Sequence, residues 1–386
     1  MTPAPGQPAL SAAVHLRARW EWRWSPGAAP PYAEIEEFLV AHGLPAADLG
    51  HDGLARQDGG ASGAALLLGG GWPVGAAGGP ASPCPEVPDV AVVVYEPGPE
   101  AATPPARPAA SVVGWAASWT AAEHTRAVED VRAAIARGDL YQANVVGHRE
   151  GTLIGEAAGV GAALARVPDA PYAGGVSGDG WAVHSASPEL FLEVDRGQAT
   201  TRPIKGTTQR SEESDADRRA RDWLLASDKD RAEHVMIVDL ERNDLGRVAR
   251  TGAVEVAELY AVRPLAGLWH AESSVTARLR PGVGLAELLG ATFPGGSVTG
   301  APKLAALARI GAVEPVGRGP AMGAMGWFGA DGRLTLGLTI RTVAVADGRV
   351  HLWTGGGVTW SSEAEAEVAE AEAKAAPLLA ALSPDH

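Results

Sequence analysis

The chain has 386 residues, 46% of them apolar, and a formal net charge of −14 at pH 7. The apolar fraction is ample for a substantial core, and the acidic balance argues against a nucleic-acid or anionic-membrane footprint, which requires clustered Lys and Arg. The single cysteine, Cys84, excludes an intrachain disulfide and a Cys-based metal cluster. The start lacks the pattern of a secretory signal, and no apolar run reaches the ~20 residues that span a bilayer. We therefore expect a cytoplasmic protein.

The first 110 residues carry structural patterns but no chemical motif. Trp20, Trp22 and Trp24 alternate with polar neighbours, as in a half-buried strand. The other predicted features of this part are a short helix over residues 31–43, and a strand over Val90–Tyr95 between the Gly-, Pro- and Ala-rich loop stretches 69–88 and 96–110.

From residue 119 the pattern is sharper. Thr120 can cap a helix, and Gly138 can close it. Between them Val128, Val131 and Ile135 recur at helical spacing. We predict further strands over 140–146, 181–194, 198–204, 321–329, 334–345 and 349–354, and further helices over 216–243 and 362–382. Helices and strands mix without strict alternation or tandem repeats, which predicts an α+β fold.

One string places a lysine at the predicted end of a strand. In residues 201–208, TRPIKGTT, Lys205 lies between Pro203 and Gly206. A lysine that acts as a nucleophile must be neutral, which a desolvated or electropositive pocket can achieve by lowering its pKa. A solvated turn lysine is the alternative, and this string alone favours it.

Two acidic features could bind a divalent cation. Glu233 lies at the edge of the apolar run Val235–Val238, which predicts a segment buried on most sides, where an unpaired carboxylate is costly. In the terminal helix one face carries four charged side chains, at Glu363, Glu367, Glu370 and Lys374. Mg²⁺ prefers one or two carboxylates together with substrate oxygens and water. A surface glutamate and a solvated charge stripe are the alternatives.

Two Gly-rich strings and one arginine could bind anions. Residues 293–303 and 354–358 offer backbone N–H groups that could bind carboxylates, although either could be only a tight turn. Arg341 lies inside the predicted apolar strand Leu336–Val345, and an arginine in a strand interior needs an anionic partner.

Taken together and in order, these strings resemble those of the chorismate-utilising family, which includes the anthranilate, aminodeoxychorismate, isochorismate and salicylate synthases. The similarity runs from about residue 119 to 383, and several long motifs in the right order are more specific than any one of them. Residues 138–145, GDLYQANV, resemble the strand that opens the family's site, and residues 187–190, SPEL, resemble the one carrying its general acid.

The resemblance implies an α+β fold like that of anthranilate synthase component I. This fold is a single large domain of two packed, mostly antiparallel sheets with outer helices. Residues 1–110 are then expected to add strands to the same unit, and residues 111–386 to form the chorismate-binding catalytic region.

Two positions distinguish the branches of the family. Isochorismate and salicylate synthases have a lysine base where this chain has Gln142. Anthranilate synthases have Ala where it has Lys205, and the PIKGT form is similar to that of aminodeoxychorismate synthases. The resemblance thus implies conversion of chorismate and ammonia to 4-amino-4-deoxychorismate, for p-aminobenzoate and folate or a related aromatic amine.

The resemblance also implies individual roles. Glu189 would be the proton donor, Lys205 the nucleophile and His270 a site histidine. The implied substrate-binding residues are Gln142, Thr299, Gly300, Arg341, Gly356, Gly357 and Lys374. The implied Mg²⁺ ligands are Glu233 and Glu370, with Glu367 nearby. No nucleophile elbow surrounds Cys84, so ammonia is expected from a separate glutamine amidotransferase subunit.

Four positions depart from the family pattern. Glu272 stands where the family has an apolar residue, Thr335 and Gly337 where it has Asp and Asn, and Ser361 where it has Asp. These departures leave a non-catalytic chorismate-binding relative as one alternative. Anthranilate synthase component I is the other.

Overall fold

The computed structural model describes residues 14–51, 60–98, 109–211, 213–265 and 268–384. In this part of the chain the strands are, in order, β1 (Val14–Trp22), β2 (Gly63–Leu68), β3 (Val90–Pro97), β4 (Ala110–Ala117), β5 (Gln142–Gly155), β6 (Tyr172–Gly178), β7 (Trp181–Ser187), β8 (Leu190–Asp195), β9 (Gln198–Arg202), β10 (Ile204–Gln209), β11 (Ala249–Leu265), β12 (Leu268–Leu279), β13 (Gly300–Ala301), β14 (Ala324–Gly329), β15 (Leu334–Leu338), β16 (Thr342–Ala346) and β17 (Arg349–Val358). The helices are α1 (Tyr32–Ala41), α2 (Gly71–Ala76), α3 (Ala121–Ala136), α4 (Ala157–Leu164), α5 (Ser214–Ala226), α6 (Asp228–Gly246), α7 (Leu285–Thr292), α8 (Lys303–Val313) and α9 (Ala364–Ala381), with a 3₁₀ turn at Gly296–Val298.

These strands form two antiparallel sheets, which confirms the predicted α+β class and architecture. The larger sheet has the order β1-β3-β2-β14-β15-β8-β9-β12-β10, with β11 paired to β12. The smaller sheet has the order β13-β5-β17-β16-β7-β6, with β4 paired to β5. Strands β1 to β3, from the first part of the chain, therefore extend the same sheet that carries β8 to β10. No helix in the described ranges is long and apolar enough to cross a membrane.

The largest core joins the larger sheet to strands of the smaller sheet and to helices α1, α6 and α7. Ile35, Leu39, Leu192, Leu288 and Leu289 are fully buried there. Burying each such side chain contributes about 1.5–3 kcal/mol to the free energy of folding, which favours a rigid scaffold for the larger sheet.

The N-terminus of α3 is capped as predicted. The Thr120 Oγ1 accepts the Glu123 N–H at 3.2 Å, and the Glu123 carboxylate accepts the Thr120 N–H at 2.7 Å. This reciprocal pair is a capping box. Gly138 follows the last turn with φ +81°, a conformation that glycine adopts without strain.

Several predicted elements are in fact broken. The helix predicted over 216–243 is the two helices α5 and α6, because Ser227 is extended (φ −72°, ψ 98°) and its hydroxyl caps α6 through the Asp230 N–H. The strand predicted over 198–204 breaks at Pro203, which has no N–H for a ladder. The predicted loop 69–88 contains the short helix α2.

Two further predicted strands each cross from one sheet to the other. The prediction over 181–194 contains β7 of the smaller sheet and β8 of the larger, with Glu189 at the crossing. The prediction over 334–345 contains β15 of the larger sheet and β16 of the smaller, with Arg341 at the crossing. The placement of Arg341 inside one strand was therefore wrong, and its φ of +49° marks the break.

The two crossings are bonded to each other. The Leu338 N–H donates to the Glu189 carbonyl at 3.0 Å, and the Ala186 N–H donates to the Arg341 carbonyl at 3.0 Å. Two residues predicted for the site from separate strings are thus held together at the seam between the sheets.

Candidate active site

Lys205 is aimed by a bulge in β10. Gly206 has φ +94°, and the register against β12 shifts between Ile204 and Thr207. The Lys205 Nζ lies 3.0 Å from Glu233 Oε2 and donates to the Gly357 carbonyl at 3.3 Å. The side chain is 21% exposed, so the alternative of a solvated turn lysine does not hold.

The charge state of Lys205 is set by its carboxylate neighbours. Burial lowers its pKa, but the charges of Glu233, Glu367 and Glu370 raise it by more, so the pKa lies above its ordinary value. In this arrangement Lys205 is a cation. Any nucleophilic role therefore requires that it first lose a proton.

Glu233 is fixed from two sides. Besides Lys205, the Thr359 hydroxyl donates to Glu233 Oε1 at 2.6 Å and the Ser361 hydroxyl at 3.3 Å. The apolar run that follows is less buried than predicted, because Val235 is 43% exposed. The cost of burying the Glu233 carboxylate is offset by these donors, and Lys205 is the cation beside it.

The acidic face of α9 lies against the glycines of β17. Lys374 Nζ is 2.7 Å from Glu370 Oε1 and donates to the Gly355 carbonyl at 3.0 Å. A Cβ on Gly356 would lie 3.0 Å from Glu367 Oε2, so a larger residue would crowd the carboxylate. Glu363 is the N-cap of α9, and its carbonyl accepts the Glu367 N–H at 3.0 Å.

The carboxylates of α9 suit a hard cation. Burial raises the pKa of Glu367, as does the charge of Glu370, while the Ser362 hydroxyl and the two site lysines lower it. A nearby divalent ion would relieve this repulsion, and Mg²⁺ needs only one or two carboxylates beside substrate oxygens and water. No three His, Cys, Asp or Glu side chains in the described ranges converge as a complete ligand set. An ion placed here would therefore take its remaining ligands from substrate oxygens and water.

Glu189 is a buried carboxyl, 6% exposed. The Ile204 N–H donates to its Oε1 at 3.3 Å, and the Ser297 hydroxyl also hydrogen-bonds to it. Burial raises the pKa of Glu189 to about 7, with smaller contributions from the charges of Glu241 and Glu272. A carboxyl that keeps its proton near neutral pH can act as a general acid.

His270 is a neutral, buried imidazole. Its Nδ1 is 2.8 Å from the Thr207 hydroxyl, and its Nε2 is buried with no hydrogen-bond partner among the described residues. Burial lowers the pKa of His270 to about 4, and the charges of Arg341 and Lys374 lower it further. Its free nitrogen can therefore bind a ligand without carrying charge.

Gln142 and Gly357 approach each other closely. A Cβ on Gly357 would lie 2.9 Å from Gln142 Nε2 and 3.3 Å from Lys205 Nζ, so glycine is needed for this approach. The Gln142 side chain is buried, and its Oε1 has no hydrogen-bond partner in the described part of the chain. An unpaired buried carbonyl is costly unless a ligand donates to it.

The turn at Thr299 and Gly300 lies beside the same strand. Gly300 has φ +143° and pairs with Ala143, and a Cβ on it would lie 2.1 Å from the Gln142 carbonyl oxygen. Thr299 has its hydroxyl engaged by the Gly295 carbonyl at 2.8 Å and its N–H by the Gly296 carbonyl at 3.3 Å. Thr299 therefore has no spare donor for a substrate in this arrangement.

Two of the four departures from the family pattern, Gly337 and Ser361, have local explanations. A Cβ on Gly337 would lie 2.5 Å from the Tyr172 Cβ, so asparagine would clash there. Ser361 places a hydroxyl beside Glu233, where Asp would add a second negative charge. Burial raises the pKa of Glu272, while Arg202 and Arg263 lower it.

Sequence reasoning missed the residues that support the site. Thr207, Ser297 and Thr359 each place a hydroxyl on a site side chain, and Glu241 lies behind Glu189. Thr207 lies inside the string 201–208, and Thr359 directly follows the string 354–358; this proximity was the signal available in the sequence. Nothing local distinguishes Glu241 from other charged residues of α6.

The site therefore combines Lys205, a buried carboxyl with a raised pKa, a cluster of carboxylates and two further basic side chains at the seam of an α+β fold. That combination defines an enzyme-like site for a small anionic molecule. The chain belongs to the family of chorismate binding enzymes, whose sequence profile matches residues 82–380.

Curated relatives fall into two branches. The chain is 39% identical over 256 residues to aminodeoxychorismate synthase component 1 of Salmonella typhimurium, covering 66% of this chain and 56% of that protein. It is 42% identical over 243 residues to an anthranilate synthase component 1 of Haloarcula marismortui, covering 63% and 50%. The matched part thus spans little more than half of these relatives.

Solved structures share the fold across nearly the whole chain. Anthranilate synthase component I of Streptococcus pneumoniae superimposes with a TM-score of 0.77 at 22% identity, covering 97% of this chain and 93% of that one. The menaquinone-specific isochorismate synthase of Escherichia coli superimposes with a TM-score of 0.67 at 14% identity, covering 96% and 95%. At these identities the likeness shows the fold alone.

Proposed function

We propose that this chain is the chorismate-aminating component of an aminodeoxychorismate synthase, which converts chorismate and ammonia to 4-amino-4-deoxychorismate. The observation that carries the proposal is the placement of Lys205. Its amine is held beside Gln142 and Gly357, and the N–H of the preceding residue binds Glu189. An amine, with a buried carboxyl hydrogen-bonded to the residue before it, suits a substitution in which a hydroxyl leaves.

The proposed reaction has two displacements. Lys205, after losing a proton, attacks ring carbon 2, the ring double bonds shift, and the 4-hydroxyl leaves with the proton of Glu189 as water. Ammonia then attacks carbon 4, the double bonds shift back, and the bond from carbon 2 to Lys205 breaks. One hydroxyl is exchanged for one amine, and no oxidant or reductant is needed.

Two basic side chains would hold the substrate's two carboxylates. The charges of Arg341 and Lys374 both lower the pKa of His270, so both side chains lie within electrostatic range of that imidazole. The buried His270 Nε2 and Gln142 Oε1 have no hydrogen-bond partner among the described residues, and they would bind ring substituents of the substrate. Spare donors and acceptors of this kind are worth more to binding than groups already paired.

A magnesium ion would be held by Glu233 and Glu370, with Glu367 beside them. When bound, it would neutralise a substrate carboxylate. We expect chelation to lower the rate of chorismate consumption, and added Mg²⁺ to restore it.

Ammonia would come from a separate glutamine amidotransferase subunit. The curated relatives are named as component 1, which supports a partner subunit. Co-purification of the chain with an amidotransferase, and glutamine-dependent activity of the pair, tests this proposal. The product would serve p-aminobenzoate and folate synthesis or a related aromatic amine.

Anthranilate synthase is the second candidate, because relatives of that name match at similar identity. The two reactions differ in product: anthranilate formation releases pyruvate, and amination alone does not. Lys205 favours amination without release of pyruvate.

The test is product identity. Purified chain is incubated with chorismate, Mg²⁺ and ammonium, and the products are separated by liquid chromatography with mass detection. We expect 4-amino-4-deoxychorismate without pyruvate. Lys205→Ala should abolish product. Lys205→Arg, which can keep the ion pair to Glu233 but cannot act as the nucleophile, should abolish it equally.

Intact-protein mass spectrometry checks the covalent step. Wild type quenched during turnover should carry a mass increase equal to chorismate less water, and Lys205→Arg should not. Anthranilate with pyruvate would overturn the choice of branch, and unconsumed chorismate would favour a non-catalytic relative.

A further inference from the structure

A second buried carboxyl lies behind Glu189, and the proposed reaction does not use it. Glu241, in α6, is 3% exposed, and its Oε1 accepts the Gly296 N–H at 3.1 Å. The Thr201 hydroxyl also hydrogen-bonds to it. A buried carboxyl that accepts from two separate segments fixes both of them in place.

The segments that bind Glu241 also bind Glu189. In the first, Ile204 follows three residues after Thr201, and its N–H donates to Glu189 Oε1 at 3.3 Å. In the second, Ser297 directly follows Gly296, and its hydroxyl hydrogen-bonds to Glu189. The two carboxyls are thus joined through two short pieces of backbone.

We propose that Glu241 is a positioning residue for Glu189: it fixes the two segments that hydrogen-bond to the Glu189 carboxyl, and its negative charge opposes ionisation of Glu189. The inference rests on the proposed role of Glu189 as proton donor. It adds a second acid, outside the substrate's reach, that keeps the first one protonated.

The electrostatics agree with the geometry. Burial raises the pKa of Glu189 and of Glu241 to about 7 each, and the charge of Glu241 raises that of Glu189. The other charged groups that face the pair are Glu272 of β12 and Arg341 beside Glu189, and Asp244 of α6 and Lys303 of α8 beside Glu241. Lys303 lowers the pKa of Glu241 and Asp244 raises it, and Glu189 and Glu241 titrate as a coupled pair.

The experiment is an infrared titration of protonated carboxyl groups in the substrate-free protein. Glu189→Gln assigns the Glu189 band by its loss. In Glu241→Gln, which keeps the shape and an acceptor for the Gly296 N–H but loses the charge, the Glu189 band should disappear at a pH about one unit lower. The alkaline limb of the kcat/KM profile should move in the same direction. Asp239→Asn, two residues earlier and 75% exposed, is the control and should change neither.

The coupling can also be read from the other side. Because interaction between two sites is reciprocal, the Glu241 band in Glu189→Gln should move to lower pH by the same amount. This measurement keeps the inference testable if Glu241→Gln does not fold. If both carboxyl bands titrate as in wild type while Glu189→Gln is inactive, the role of Glu241 is refuted and the proton-donor role of Glu189 is not. If Glu189→Gln keeps full activity while the carboxyl bands shift as expected, the proton-donor role of Glu189 is refuted and the coupling to Glu241 is not.

Discussion

Two ion pairs in this protein differ in how completely their polar groups are satisfied. Arg318 and Glu314 have side chains only 1% exposed, and the guanidinium donates to both carboxylate oxygens. Its remaining donors bind the carbonyls of Val298 and Asn144 at 2.7 Å, and the Val146 N–H donates to Glu314 at 3.0 Å. Each charge is thus matched within the protein.

The Lys205–Glu233 pair is less complete. These side chains are 21% and 10% exposed, and the nearby polar atoms Gln142 Oε1 and His270 Nε2 have no hydrogen-bond partner in the described ranges. A fully matched pair can only hold elements together, because it has no capacity left for a ligand. A site with spare groups costs stability and gains the ability to bind.

The largest expected effect is on the matched pair. Arg318→Met leaves the Glu314 charge buried and unpaired, which should lower the free energy of unfolding by about 3–5 kcal/mol. Urea unfolding followed by circular dichroism measures it. The control is Arg309→Met in α8, whose pair with Asp130 is partly exposed and should be worth about 0.2–1 kcal/mol. Equal losses from the two variants would remove the distinction between the pairs.

The next effect is a pH dependence specific to the site. The pKa of Glu189 is raised from 4.5 to about 7, so the folded state holds a proton that the unfolded state releases. Stability is therefore lost as pH rises from 4.5 to about 7. Relative to Glu189→Gln, wild type should lose on the order of 2–3 kcal/mol across that window.

Measuring the difference between the two proteins is essential for this test. Burial lowers the pKa of His148, His234 and His270 to about 4. The stability that these histidines contribute is lost as pH falls, so it opposes the effect of Glu189 when wild type is measured by itself. The histidines are also present in Glu189→Gln, and their effect cancels in the difference. A pH-independent difference in unfolding free energy would show that Glu189 is ionised at neutral pH.

The smallest expected effect is at an unsatisfied group. Gln142→Met keeps the volume and removes a buried carbonyl without a partner, so stability should stay the same or rise by up to about 1 kcal/mol. The KM for chorismate should increase, because a ligand-binding group is lost. Thermal unfolding and steady-state kinetics on one preparation give both values. A clear loss of stability would show that the Gln142 side chain is hydrogen-bonded within the protein, like Arg318 and Glu314.

Short-range features of the chain were predictable from sequence. The capping box of α3 and the turn glycine after it involve residues within one helix. The bulge that aims Lys205 needs a residue tolerant of positive φ, and Gly206 supplies it next in the chain. The strings around Glu189, Lys205, Glu233 and Glu370 supplied the candidate site residues, and their roles stay predictions.

Features that depend on pairing between distant segments were not predictable. Alternating apolar residues look the same whether they continue one strand or leave it for another sheet, so the crossings at Glu189 and Arg341 were read as strand interiors. The same limit hid Glu241, because its importance comes from Gly296 and Thr201, far away in the chain.

The sequence by itself determined the class of fold and the set of chemical groups, because hydrophobic periodicity, caps and long motifs are local properties. Only the tertiary structure decided that Glu189 and Arg341 meet at the seam, that carboxylates raise the pKa of Lys205, and that burial raises the pKa of Glu189. Those outcomes depend on burial and on charges brought close by folding, and neither is encoded in the spacing of residues along the chain.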